Sequence, residues 1–227
     1  MHTERLGFGG ISIRGSLRLA ARIVKEQRAL GRAAKEMPRP MPWDWASPRL
    51  LPLLCGPYLA DDELMTDVLD PRCAVVFGVD LGRVFTLVDQ EVAERWEIST
   101  GQLRERALVN LRARASRLGP EVVRRGVLSG RIVRHLGDRI PWAASLLLDQ
   151  DSLTRLFGSD DQVFLAPGRG TLMSFSLQVP ASVLAHIMID FEGGEPWPLF
   201  LDPFVLIDGK LIWQPDDDEA GDAEWTS

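Results

Sequence analysis

The chain has 227 residues, of which 45% are hydrophobic and 26% charged, an ordinary globular composition that excludes collagen-like, coiled-coil and wholly disordered chains. No apolar run approaches the roughly 18 residues that cross a bilayer; the greasiest stretch, Leu50 to Ala60, is broken by Pro52, Gly56 and Pro57. The formal net charge of -6 hides a division: residues 1–39 are basic, 59–101 acidic and the chain acidic again after 213, so a charged partner meets separate faces.

At the N-terminus, Glu4 and Arg5 precede Gly7, Gly9 and Gly10, where a secretory signal would have an unbroken apolar core, which predicts a cytoplasmic protein. From Ser16 to Met37, apolar Leu19, Ile23, Leu30, Ala33 and Met37 alternate with Arg18, Arg22, Lys25, Arg28, Arg32 and Lys35, the pattern of an amphipathic basic helix that Pro38 ends. Six prolines between 38 and 57 fix φ and remove amide donors, predicting an extended arm without regular structure. Trp43 and Trp45 within it are expected to pin the arm to the body.

The body opens with Cys73 to Val79 and Arg83 to Val88 around Asp80-Leu81-Gly82, a predicted β-hairpin. Asp89 introduces a short helix ending near Glu97, and Thr100 caps a longer one carried by Leu103, Ala107, Leu108, Leu111, Ala115 and Leu118 and stopped by Gly119-Pro120. In the Arg-rich stretch 121–140, short strands are expected around Val127 and Ile132. The continuous apolar run Pro141 to Leu148 predicts a doubly covered central strand, followed by a brief helix to Phe157. Val163 to Ala166 and Thr171 to Val179 predict strands around Pro167-Gly168-Arg169-Gly170. Pro180 opens a helix to Phe191 with a stripe of Val183, Leu184, Ile187, Met188 and Phe191. Phe204 to Ile207 and Lys210 to Trp213 flank Asp208-Gly209 as a closing hairpin. The acids from Asp216 to Glu224 predict a disordered tail.

Signals for chemistry are sparse. Cys55 and Cys73 lack CxxC spacing and a neighbouring histidine, and read as buried thiols. His135 and His186 have no partners at metal or catalytic spacing. Ser129 in Gly126-Val-Leu-Ser-Gly130 misses the GxSxG elbow by one residue. Gly168-Arg-Gly-Thr171 is not followed by the Lys and helix of a phosphate loop. Asp149 with Asp151 and Asp160 with Asp161 sit where caps and turns take carboxylates, so no metal and no cofactor are expected. Asn110, near the packed side of its helix, must find partners for its amide, either a neighbouring backbone or a ligand.

In their order, Val84-Phe-Thr-Leu-Val88, Glu94-Arg-Trp-Glu-Ile-Ser99 leading into Leu103 and Ala107-Leu-Val-Asn-Leu111, then Ala144-Ser-Leu-Leu-Leu148, Ala166-Pro-Gly-Arg-Gly-Thr-Leu172 and Asp208-Gly-Lys-Leu211 resemble the YtpQ-like family of uncharacterised bacterial proteins over roughly residues 70–213. The Pro-rich arm, the segment 121–140 and the acidic tail depart from that pattern. The resemblance implies a compact α+β domain and supplies no catalytic residues.

Consecutive hairpins with intervening helices predict an α+β fold, a mostly antiparallel sheet with packed helices. The expected organisation is an N-terminal basic helix and Pro-rich arm over 1–59, a domain over 60–213 and a tail over 214–227. Without a complete catalytic constellation, the sequence leans away from an enzyme and toward a binding or adaptor module. Its expected partner is a protein, or a second copy, held through the basic helix. Nucleic acid is disfavoured, and peripheral membrane contact is the third use of that helix. The rival reading is an enzyme or sensor for a small polar or phosphorylated ligand, with Asn110 and Arg169 as its contacts.

Overall fold

The computed structural model describes residues 24, 28, 31, 35, 37–56, 63–70, 73–82, 84–136, 140–193, 195, 198–199, 201–208 and 210–213. The basic helix expected over 16–37 lies mostly outside the described residues; of it, Val24, Arg28, Gly31 and Lys35 are helical and exposed. The tail beyond 213 lies outside them too. Helices and antiparallel sheets make up an α+β fold.

The Pro-rich segment is more ordered than its composition predicts. Trp43–Ala46 (α1) and the 3-10 turn Ser47–Arg49 lead into a strand, β1 (Leu50–Cys55), buried at every position. This corrects the expectation of an irregular arm. β1 pairs with β3 (Cys73–Asp80) in a register that sets Pro52 opposite Phe77. The Phe77 carbonyl accepts from the Val88 amide on the other side of β3, so the backbone of Phe77 faces away from β1 and the missing N–H of Pro52 breaks no ladder bond. Trp43 and Trp45 do hold the segment down: Trp43 lies 5.3 Å from Trp96, whose indole Nε1 donates to the Met41 carbonyl at 2.8 Å, and Arg49 stacks on Trp45.

β3 carries β1 on one side and two short strands, β2 (Thr66–Asp70) and β4 (Phe85–Leu87), on the other. The expected hairpin is the β3–β4 pair, closed by Gly82 at φ 97 and by Asp80 Oδ1, which accepts the Gly82 amide at 2.7 Å. Gly78 cannot be replaced freely, since a Cβ there would come within 2.5 Å of Leu53 Cδ1.

Two helices follow. α2 (Gln90–Trp96) is capped by Asp89, whose Oδ1 accepts from Val92 N, and ends at Glu97 in the left-handed conformation. α3 (Thr100–Ala115) begins one residue earlier than the sequence suggests, because Ser99 and Gln102 form a reciprocal capping box, which leaves Thr100 inside the helix. Its Leu103, Ala107, Leu111 and Ala115 are buried against β1.

The second sheet has the order β10-β9-β7-β8-β6-β5 and is antiparallel throughout. Its strands are β5 (Arg124–Leu128), β6 (Arg131–Leu136), β7 (Gln162–Gly168), β8 (Thr171–Ser176), β9 (Phe204–Ile207) and β10 (Lys210–Trp213). The run 141–148 is not a strand: Ala143–Leu148 is a buried 3-10 helix packed between β1 and β8, followed by α4 (Gln150–Phe157). An apolar run of that length has no period to distinguish a buried helix from a buried strand.

Alternation along the strands feeds two clusters. Leu136, Phe164, Leu172, Phe204 and Leu206 join the first sheet, α3 and the 3-10 helix in one large core. Val133, Val163, Leu165, Met173, Phe175 and Val205 face the other way, where α5 (Ala181–Glu192) covers them with Leu184, Ile187 and Met188. The stripe expected on that helix is the one it buries. Pro180 takes the cap position immediately before it.

Candidate interaction surface

β5 and β6 form a hairpin over a two-residue turn, Ser129-Gly130, with φ of 47° and 73°. Positive φ at both positions gives the primed turn whose twist matches the strands. Arg125 lies opposite Arg134, and Val127 opposite Ile132. These four share the face that continues into the large core through Leu136. The core, however, stops at Arg134, which donates to the Phe157 carbonyl and lies 3.9 Å from Asp160. Beyond it, Val127 is 37% and Ile132 71% exposed. On the opposite face Leu128 and Val133 are buried under α5.

β5 is the last strand of its sheet. Because a two-residue turn is closed by a hydrogen-bonded pair, Gly126 and Leu128 bond to β6, while the amides and carbonyls of Arg125 and Val127 point to the free side. Around that edge stand Arg124, Arg125 and Arg131, all exposed, with no ion pair among the described residues. Unpaired backbone, three unpaired guanidinium groups and two exposed aliphatic side chains therefore occur together on one edge.

The residues singled out in the sequence do not converge elsewhere. The amide of Asn110 donates to the carbonyls of Ser47 at 2.7 Å and Leu50 at 2.8 Å, fastening the start of β1 to α3. Arg169 lies in the β7–β8 turn with its guanidinium 5.0 Å from the Phe85 ring, and its carbonyl accepts from Ala144. The contacts described for the two have no residue in common. In the same turn Thr171 donates to Glu195 at 3.1 Å, and a Cβ on Gly168 would come within 2.6 Å of that carboxylate group's carbon, so the loop is closed over protein.

Ser129 is the turn residue of the hairpin, and His186 is exposed on α5. Asp149 is buried and lies 3.5 Å from Arg112; Asp161 accepts the Asp208 amide at 3.1 Å. Among the described residues no three His, Cys, Asp or Glu side chains group as metal ligands, and no helix is long and apolar enough to cross a membrane. Cys55 and Cys73 are buried free thiols, both directed at the Ala74 carbonyl, and burial pushes the Cys55 thiol up from 9.0 to about 11, away from nucleophilic use.

A concavity of about 440 Å³ is lined by Met65, Ala93, Glu94, Glu97, Ile98, Ser99 and Gln102, among others. Its Ser99 and Gln102 are engaged with each other in the capping box, and the carboxylates of Glu94 and Glu97 are exposed. It brings no nucleophile and base together.

The edge itself is not among the sequence expectations: the pattern predicts strands at Val127 and Ile132 and assigns the arginines no role. The available signal was an alternation in which Arg125 and Val127 share a face with Ile132, next to a Ser-Gly turn.

The structure thus defines an α+β protein of two antiparallel sheets, one of which ends in an arginine-lined edge. A curated UPF0354 protein of Listeria monocytogenes serotype 4a (strain HCC23) is 25% identical over 156 residues, covering 67% of this chain and 57% of that protein. This distant similarity supports a place among uncharacterised bacterial proteins; the chain spans little more than half the length of that relative. No family model matches, and no solved structure matches.

Proposed function

We propose that the protein is a non-enzymatic binding module that takes an acidic, extended polypeptide as an added strand along β5. The observation that carries this reading is the edge strand with two outward-facing backbone units beside Arg124, Arg125 and Arg131, none of them ion-paired among the described residues. Backbone bonds would supply affinity, Val127 and Ile132 an apolar contact, and the arginines the sign of the charge selected. A second copy pairing through β5 would bring arginine against arginine, which disfavours self-association at this edge. The division expected from the sequence, with a basic N-terminal segment and an acidic tail as appendages of the body, fits an adaptor. We further propose, on the motifs from Val84 to Leu211, that the body is YtpQ-like.

The test is fluorescence anisotropy with a labelled peptide alternating glutamate and valine, its glutamine counterpart, and a single-stranded DNA of similar charge. The glutamate peptide should bind, and the joint variant Arg124→Gln, Arg125→Gln, Arg131→Gln should weaken it by about tenfold or more. Because these side chains are exposed, the variant should keep the parent circular dichroism. Equal binding of the glutamine peptide, or preference for DNA, would overturn the proposal. So would a thermal-shift screen in which a small phosphorylated ligand binds at Arg169 while the peptide does not.

A further inference from the structure

We infer that the first occupant of the β5 edge is the chain's own acidic C-terminal segment, residues 214–227, which makes the protein self-masking. This rests on the reading of β5 as a site for acidic strands, and adds to it the identity of the competing segment.

Register sets where the chain leaves the second sheet. Following the pairings across the second sheet, Trp213 of β10 lies opposite Phe204, which is opposite Phe164, then Ser174, then Arg134, then Arg125. The last residue of β10 and the second residue of β5 therefore occupy one row. Since β10 runs toward the end of the sheet at which β5 begins, the chain leaves the sheet beside the row of Arg124. Five strand spacings of about 4.8 Å separate the two edges, roughly 24 Å. The fourteen residues after 213 reach about 46 Å when extended, nearly twice that span, so a path around the sheet end still delivers the later acids to β5.

Composition matches the segment to the edge. The segment Gln214-Pro-Asp-Asp-Asp-Glu-Ala-Gly-Asp-Ala-Glu-Trp-Thr-Ser227 holds six acids, no base and a single aromatic residue, Trp225. It meets an edge that presents three guanidinium groups and an exposed Val127–Ile132 pair. Asp222 and Glu224 alternate with Ala223 and Trp225, so that in an added strand the acids fall on one side and the apolar residues on the other. Aligned with β5, the aromatic ring would cover Ile132 while the carboxylates lie by Arg124 and Arg131. Because the segment is tethered, its effective concentration at the edge is high, and a partner must be more acidic or more apolar than the tail to displace it.

The experiment uses the full chain and a full-length variant in which Asp216, Asp217, Asp218 and Asp222 are changed to Asn and Glu219 and Glu224 to Gln. Hydrogen exchange of Arg125 and Val127 and anisotropy of the labelled glutamate–valine peptide are measured for both. If the tail occupies the edge, neutralising it speeds exchange at those two amides about tenfold and tightens peptide binding by a similar factor, and Trp225→Ala moves both in the same direction. Unchanged exchange, with the peptide bound equally by both chains, would overturn self-masking and leave the proposed binding site standing. Peptide binding to neither chain would overturn both.

Discussion

Cys55 shows how burial sets the chemistry of a single residue. Only 3% exposed in β1, it keeps its thiol neutral because the sheet offers no solvent for a thiolate. Its folded pKa of about 11 lies above its reference value of 9.0. The stability this contributes is complete below pH 9 and is lost as pH rises through 11, amounting to about 2–3 kcal/mol. Urea titrations at pH 8 and 11 should show the parent losing that much more stability than Cys55→Val, and equal losses would mean that the thiol meets water. At the same scale, Asn110 shows what residue type alone conveys. A polar amide beside Leu111 had to be satisfied, and it is, by Ser47 and Leu50. The identity of those partners was not legible, because the strand they introduce was itself hidden among prolines.

The elements divide by how local their causes are. The hairpins at Asp80 to Gly82 and Asp208-Gly209 could be read from the chain because these residue types favour tight reversals, and Gly82 and Asp208 take the positive φ such turns need. β1 could not be, because its partner β3 begins some twenty residues later and Pro52, with Pro48 and Pro57 on either side of the strand, masks it. The segment 143–148 failed for the opposite reason, being apolar all round. Its burial was nevertheless predictable. Leu147 packs in the large core between the sheets, and Leu147→Ala should cost about 2–5 kcal/mol in equilibrium urea unfolding, whichever secondary structure carries it. A loss under about 1 kcal/mol would show that the core closes over the gap or never enclosed the side chain. The candidate edge was half legible. Its strands were anticipated, but its position at the end of a sheet depends on β9 and β10 joining β7 on the other side, which no local pattern announces.

For the molecule as a whole, charge is segregated while the core is shared. The described positions of the basic helix, Val24, Arg28, Gly31 and Lys35, are exposed, and Leu19, Ile23 and Leu30 are the large aliphatic residues of its expected stripe, a thin face for insertion into lipid. The purified protein should therefore remain in the supernatant with phosphatidylserine vesicles at physiological salt; sedimentation abolished by neutralising the cations before residue 39 would make the membrane its partner. Both sheets meet in one cluster that runs from Met41 to Leu206, and this order of assembly matters to a chain made from one end. β7 pairs with β8 soon after it is synthesised, but its other side waits for β9, about 40 residues later, or roughly 2–8 s at ordinary translation rates. During those seconds the nascent chain carries an open strand edge at Gln162–Phe164, with Asp160 and Asp161 just before it as the nearest charges. Crowded polysomes are thus the setting in which this protein is most exposed to aggregation, and the closing hairpin is what ends that exposure.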